Sequence, residues 1–278
     1  MIGRSAAKSP KKSSQSALKK IPPAKAFSET ARTTRNDKPI AGKARAATEK
    51  PRSSKARNRE TNTPLAAERI DAILDALRKA YPNAIWPLVH RNAFELLIAT
   101  ALSAQTTDAT VNKVTPELFR LFPNPEALAK APLAEIERVI HTTGFYRAKA
   151  KNIQGAAKML VERFHGEVPD SIEELIQLPG VARKTANVVL GSWYGISSGV
   201  VVDTHVLRIS LRLELTTASE PVKVEQDLMK ILPKDRWIQF SQEVIHLGRQ
   251  ICTARKPQCA ICTLETRCNS DDKTWSSH

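Results

Sequence analysis

The chain has 278 residues, with 43 Lys and Arg against 28 Asp and Glu, a formal net charge of +15, and 41% hydrophobic residues. That apolar fraction excludes a wholly disordered chain, and no apolar run approaches the ~18–20 residues of a membrane span. The charge is uneven: residues 1–62 hold 17 basic and 4 acidic side chains, a net of +13, which leaves only +2 for residues 63–278. The basicity therefore belongs mainly to the leading segment, and it does not by itself make the rest a nucleic-acid binder.

Residues 1–62 are rich in Ala, Ser, Lys, Arg and Pro, with Phe27 the one aromatic. Such a segment buries too little surface to offset its ordering entropy, so the sequence predicts a disordered basic tail. It has no apolar stretch of the kind a secretory signal needs. A solvated arm that attracts polyanions and an organellar transit peptide both fit it. Lysine exceeding arginine and weak amphipathic spacing favour the arm.

Order is expected from Thr63-Pro64, an N-cap with proline in the first turn, followed by Ile70, Ile73, Leu74 and Leu77 at helical spacing. Ala93–Ala104 reads as an apolar helix, and Asp108 as the cap of the next, through Phe119. Asn124-Pro125 and Ala131-Pro132 open two more, the second stopped by Gly144. Tyr146–Phe164 follows and ends at Gly166, and Ser171 with Glu174 forms a capping box. Later helices are expected over about Asp203–Leu213, Pro221–Leu232 and Asp235–Cys252. The longest period-2 run is Val200-Val201-Val202, so the fold class is all-α, with roughly ten helices and short connections.

Two segments stand out. In Leu178-Pro179-Gly180-Val181-Ala182-Arg183-Lys184 one helix stops, a tight turn on Pro179-Gly180 follows, and another helix starts at once. Gly180 can take backbone angles that other residues avoid, and the unpaired amides of the new helix make an anion site. A helix–hairpin–helix of this kind grips a nucleic-acid backbone without reading sequence; an ordinary helical corner has the same spacing. Apolar Val181, Ala182, Ala186, Val188, Val189 and Leu190 predict an interior helix, with Lys184 partly desolvated at its positive end. Both effects favour a free amine able to form a Schiff base. A phosphate-contacting lysine is the alternative.

The second segment holds all four cysteines of the chain, Cys252, Cys259, Cys262 and Cys268, as C-x6-C-x2-C-x5-C. Clustering of this sort argues for a metal centre rather than disulfides. Four thiolates on a compact loop suit an iron–sulfur cluster, while zinc favours two short paired knuckles where only one C-x2-C is present. Arg249, Arg255, Lys256 and Arg267 surround the loop, facing phosphates or offsetting thiolate charge.

LPGVARKTANVVL (Leu178–Leu190), VDTH (Val202–His205), LSAQTTD (Leu102–Asp108), TGFYRAKAKNI (Thr143–Ile153) and the cysteine loop together resemble the endonuclease III family of base-excision repair DNA glycosylases. The likeness covers residues 63–278 and none of the tail. It implies a six-helix barrel domain with the helix–hairpin–helix over residues 86–197. It also implies an iron–sulfur cluster domain from residues 63–85 and 198–278, with the DNA cleft between the two. It implies further that Lys184 is the catalytic lysine, Asp203 the catalytic aspartate, and the four cysteines the ligands of a 4Fe-4S cluster.

Gln105 matches a gap-filling glutamine, Phe145-Tyr146 a strand-wedging loop, and Gly180, Ala182 and Arg183 the hairpin that contacts DNA. Ala182 departs from the pattern, since the family usually has a second glycine there. From the residues alone, Phe145 after Gly144 reads as core, Gln105 as a cap for its own helix, and Asp203 as a helix N-cap.

The implied activity is excision of oxidised pyrimidines from duplex DNA through a lysine Schiff base, with β-elimination 3′ to the abasic site. The implied partner is double-stranded DNA with damaged pyrimidines or abasic sites. A monomer is expected, cytoplasmic and associated with the nucleoid, with no membrane. Adenine-mismatch glycosylases lack the lysine and carry a further C-terminal domain. A non-catalytic DNA-binding module and a cluster-based redox sensor are the rivals from other classes.

Overall fold

The computed structural model describes residues 67–277. The predicted basic tail and the Thr63-Pro64 start signal lie outside them. The described residues are helical, without a strand. No helix among them is long and apolar enough to cross a membrane.

The α-helices run as α1 Ala67–Ala80, α2 Ala93–Leu102, α3 Asp108–Leu121, α4 Pro125–Lys130, α5 Leu133–Ile140 and α6 Tyr146–Phe164. They continue as α7 Ile172–Leu175, α8 Arg183–Val189, α9 Thr204–Arg212, α10 Pro221–Ile231 and α11 Trp237–Gln250. Local capping explains most of the boundaries. Asn92, Asn124 and Ser171 accept from the amides of Glu95, Ala127 and Glu174, as short polar side chains do at helix starts. α6 ends with His165 and Gly166 both left-handed, and the Gly166 amide returns to Leu160 O at 2.9 Å.

Several details of the helix boundaries come from tertiary context. α2 ends two residues early, because Gln105 turns the chain with a φ of 53°. Thr107, not Asp108, caps α3, and Asp108 instead accepts from Arg249 Nη2 at 2.6 Å. α8 stops at Val189 and passes into one wide π turn, Leu190–Tyr194. The last long helix begins at Trp237, because Lys234–Arg236 forms a tighter 3-10 turn.

The helices enclose two apolar cores. One is built on Leu96, Leu97, Ile98, Leu118, Ile136, Ile153, Leu160 and Val189, from α2, α3, α5, α6 and α8. The other gathers Ile73, Leu77 and Ile209 with Leu228, Phe240 and Val244, from α1, α9, α10 and α11. Val200-Val201-Val202 runs between them. Val201 belongs to the first core, while Val200 and Val202 belong to the second, as the period-2 alternation of an extended chain dictates. Ser241 Oγ takes up the Val201 amide at 3.0 Å, so the segment needs no sheet partner.

α9 packs closely on α11 at Gly248. A β-carbon at Gly248 would lie 2.8 Å from the β-carbon of His205, which its own backbone holds in place. Gly248→Ala should therefore force α9 and α11 apart. Overpacking of this kind costs roughly 1–3 kcal/mol, against a helix-propensity gain of about 1 kcal/mol. A lower urea midpoint for Gly248→Ala is the expected result.

Candidate functional site: the hairpin, the Asp203 junction and the cysteine loop

The hairpin is fixed by two close approaches. Gly180 has a φ of 77°, and a β-carbon there would meet the β-carbon of Asn152 at 2.8 Å. Only glycine meets both demands without strain. Pro179 rests on Gly155 of α6, where a β-carbon would lie 3.2 Å from the proline ring. The turn closes with the Val181 amide donating to Leu178 O at 3.1 Å. Ala182 then occupies the N-cap of α8 in an extended conformation, and no side chain caps the helix.

Lys184 lies in the first turn of α8 and is exposed, contrary to the expectation of an interior lysine. The buried face of the short helix is Ala186, Asn187, Val188 and Val189, which turns Arg183 and Lys184 outward. Burial does not desolvate the amine in this structure. Among the described residues Lys184 forms no hydrogen bond and no ion pair. Its neighbour Arg183, expected to contact DNA, donates from Nε to Glu225 of α10 at 3.0 Å.

Glu225 is buried and also accepts from Asn187 Nδ2 at 2.9 Å, while Asn187 Oδ1 accepts from Ser198 at 2.8 Å. This network ties the lysine-bearing helix to α10 and to the loop that leads to Asp203. Sequence reasoning missed Glu225, because its partners lie 38 and 42 residues away.

Asp203 is the N-cap of α9, and Oδ1 accepts both the His205 and the Val206 amides, at 2.8 and 2.9 Å. The capping role is therefore real. It occupies one carboxylate oxygen; Oδ2 has no hydrogen-bond partner among the described residues. Asp203 and Lys184 form no ion pair with each other in this state. The valine segment that precedes Asp203 places it where the two cores meet.

Gln105 is exposed and left-handed, and its side chain caps no helix end among the described residues; the end of α2 is closed by the Ser103 amide instead. Phe145 is left-handed and 71% exposed, which corrects its reading as a core residue. Tyr146 is half-buried, with its ring 4.5 Å from that of His141 and the Arg147 guanidinium 5.6 Å above it. A left-handed conformation in two exposed non-glycine residues carries backbone strain, which is found preferentially at functional sites.

The four cysteines are free and half-buried, and all line one cavity with Arg212, Ile251 and Pro257. Among the described residues no three His, Cys, Asp or Glu side chains converge on one point as around a single metal ion. Buried Arg212 donates to Cys252 Sγ at 3.1 Å and to Thr253 O at 2.9 Å, and the Thr274 amide donates to Cys259 Sγ at 3.4 Å. Burial pushes the Cys262 and Cys268 thiols up, with the neighbouring sulfurs adding to the shift. Of the basic residues expected around the loop, Arg249 pairs with Asp108; it is Arg212 that touches the sulfur.

Comparison with known proteins gives the family. Residues 98–234 match the HhH-GPD superfamily base excision DNA repair protein. The endonuclease III of Synechocystis is 54% identical over 203 residues, 73% of this chain and 93% of the relative. This chain belongs to the endonuclease III family. The endonuclease III of Bacillus subtilis is 44% identical, over 75% of this chain and 95% of its own. A solved endonuclease III–DNA covalent intermediate superimposes with a TM-score of 0.70 at 46% identity, covering 74% of this chain and 96% of its own. A thermostable thymine-DNA glycosylase shares the fold, with a TM-score of 0.66 at 20% identity. The protein is a base-excision repair DNA glycosylase and abasic-site lyase.

Glu225→Ala leaves the buried Asn187 amide without its acceptor, while half-exposed Arg183 regains water. The loss should be about 1–3 kcal/mol, the usual cost of one unsatisfied buried donor. Urea unfolding of Glu225→Ala and Glu225→Gln measures it, with glutamine expected to be the milder change.

Proposed function

We propose that the protein excises oxidised pyrimidines from duplex DNA, with Lys184 as nucleophile and Asp203 as its acid–base and electrostatic partner. The observation that carries the assignment is Lys184 itself, an exposed amine with no partner among the described residues, in the first turn of an uncapped helix directly after the hairpin. The free Oδ2 of Asp203 at the junction of the cores supports the second role.

The target nucleotide leaves the stack, at least cost where a lesion pairs or stacks poorly. Lys184, after giving a proton to Asp203, attacks the anomeric carbon of the sugar through Nζ, and the base departs with the C–N bonding electrons and takes up a proton. The sugar ring opens to give an imine, and the proton on the adjacent carbon becomes acidic. Its removal expels the 3′ phosphate, and water then releases Lys184 from the imine. Asp203 stabilises positive charge on the sugar and relays protons. Gln105 fills the space of the departed nucleotide, and Phe145 and Tyr146 part the strands. Gly180, Ala182 and Arg183 meet the phosphate backbone, Arg183 through its two Nη groups, since Nε is held by Glu225.

Cys252, Cys259, Cys262 and Cys268 line one cavity, and four thiols there are the donor set that a 4Fe-4S cluster would take. The cluster supplies folding energy to the C-terminal loop, since nothing in the excision chemistry needs an electron. The protein works as a monomer in two domains, residues 86–197 and residues 63–85 with 198–278, near the nucleoid.

Lys184→Gln should still bind abasic duplex but lose strand cleavage and borohydride trapping. Mass spectrometry of the cross-linked peptide from the natural protein identifies the amine, and a cross-link that survives in Lys184→Gln assigns the chemistry to a different one. Separately, Cys259→Ala or Cys262→Ala should abolish visible absorbance and unfold the C-terminal loop. Zinc without iron in anaerobically purified protein would contradict the cluster assignment and leave the lyase assignment intact.

A further inference from the structure

Lys149 is 7% exposed, and its Nζ donates to Leu102 O at 2.8 Å, Thr106 Oγ1 at 2.6 Å and Thr143 O at 2.8 Å. A lysine ammonium has three protons, and all three are used. No carboxylate pairs with it among the described residues. Its own amide donates to Phe145 O at 3.1 Å, closing the first turn of α6. The acceptors come from three places: the end of α2, the loop that bears Gln105, and the turn that bears Phe145. Thr106 Oγ1 donates in turn to Thr143 O, so the two loops are also tied directly.

This arrangement is expensive. A buried ammonium gives up its hydration and must recover it from the protein's own acceptors. The first turn of a helix is also the end that disfavours a cation. Burial lowers the Lys149 amine, as that cost requires. What the cation gains is geometric. Its three donors converge on acceptors from segments about 40 residues apart in sequence, immediately beside two exposed residues with positive φ, Gln105 at 53° and Phe145 at 48°.

We propose that Lys149 is a positioning residue that locks the Gln105 loop and the Phe145 turn into one rigid strand-opening element. It touches neither DNA nor Lys184 and acts through the two residues it holds. The inference rests on the glycosylase reading above and adds to it: the two loops are set before DNA arrives, so the opening of the duplex costs no ordering of the loops at that moment. Misplacement of either loop should then impair excision of a paired base far more than cleavage at a site that has already lost its base.

The test compares the natural protein, Lys149→Met and Thr106→Val on two duplexes, one with thymine glycol and one with a preformed abasic site. Thr106→Val keeps the shape of the side chain and removes only the shared hydroxyl, so it decides the matter if Lys149→Met does not fold. Single-turnover excision of thymine glycol should fall by about 100-fold in Lys149→Met, the size that a displacement of about 1 Å produces, and less in Thr106→Val. Cleavage at the abasic site should keep its natural rate. The fluorescence rise of 2-aminopurine placed opposite the lesion should shrink in parallel with excision. Equal loss of both activities, or loss of neither, would overturn the proposal. Failure of the natural protein to excise thymine glycol while it cleaves the abasic duplex would instead count against the substrate reading.

Discussion

The two apolar cores have to be held in one register, and the extended Val200-Val201-Val202 segment does this by giving alternate side chains to each. A helix there would present its side chains around a cylinder and could not divide them so cleanly between two opposed cores. An extended chain divides them strictly, provided its backbone is satisfied, and Ser241 takes up the Val201 amide. The next residue is Asp203. Its position is thus a consequence of packing on both sides, and its capping bonds to α9 set the orientation of the carboxylate.

The same logic places Lys184. α8 is too short to be held by its apolar face alone, and its two leading residues face solvent. Its anchor is polar: Glu225, from α10, binds both Arg183 and Asn187. α10 and α9 contribute to the same core, so the segment with the amine and the segment with the carboxylate share one support. Buried polar networks are costly unless fully satisfied, and this one is: Asn187 both donates to Glu225 and accepts from Ser198. The network anchors the base of the hairpin, while the Lys184 side chain itself stands exposed.

The cysteine loop shows a different economy. It has little core of its own; Pro257 and Leu264 are its buried apolar side chains. Polar ties substitute for packing. Arg212 holds Cys252, Thr253 and Asp272, and Lys273 with Ser277 holds the carboxylate of Glu265 down to about 2. A loop built this way suits the binding of a centre that contributes its own folding energy.

Much of this was legible in the sequence because it is local. Asn124-Pro125, Ser171 and the Pro179-Gly180 turn each act over three or four residues, so α4, α7 and the hairpin could be located from the chain alone. The helical period of Ile70, Ile73, Leu74 and Leu77 and the spacing of the four cysteines are equally short-range signals. The spacing of α6 even carried a sign of Lys149, which keeps register with buried Ile153, Ala156 and Leu160. What tertiary structure alone decided was exposure and partnership. The sequence pattern put Lys184 in an interior helix and Phe145 in the core, and both are exposed, because the burial of a short helix or a turn residue depends on which neighbours reach it. Glu225, Arg212 and Lys149 likewise acquire their roles from partners some 40 residues away, and no period or local cap encodes a contact that only chain closure creates.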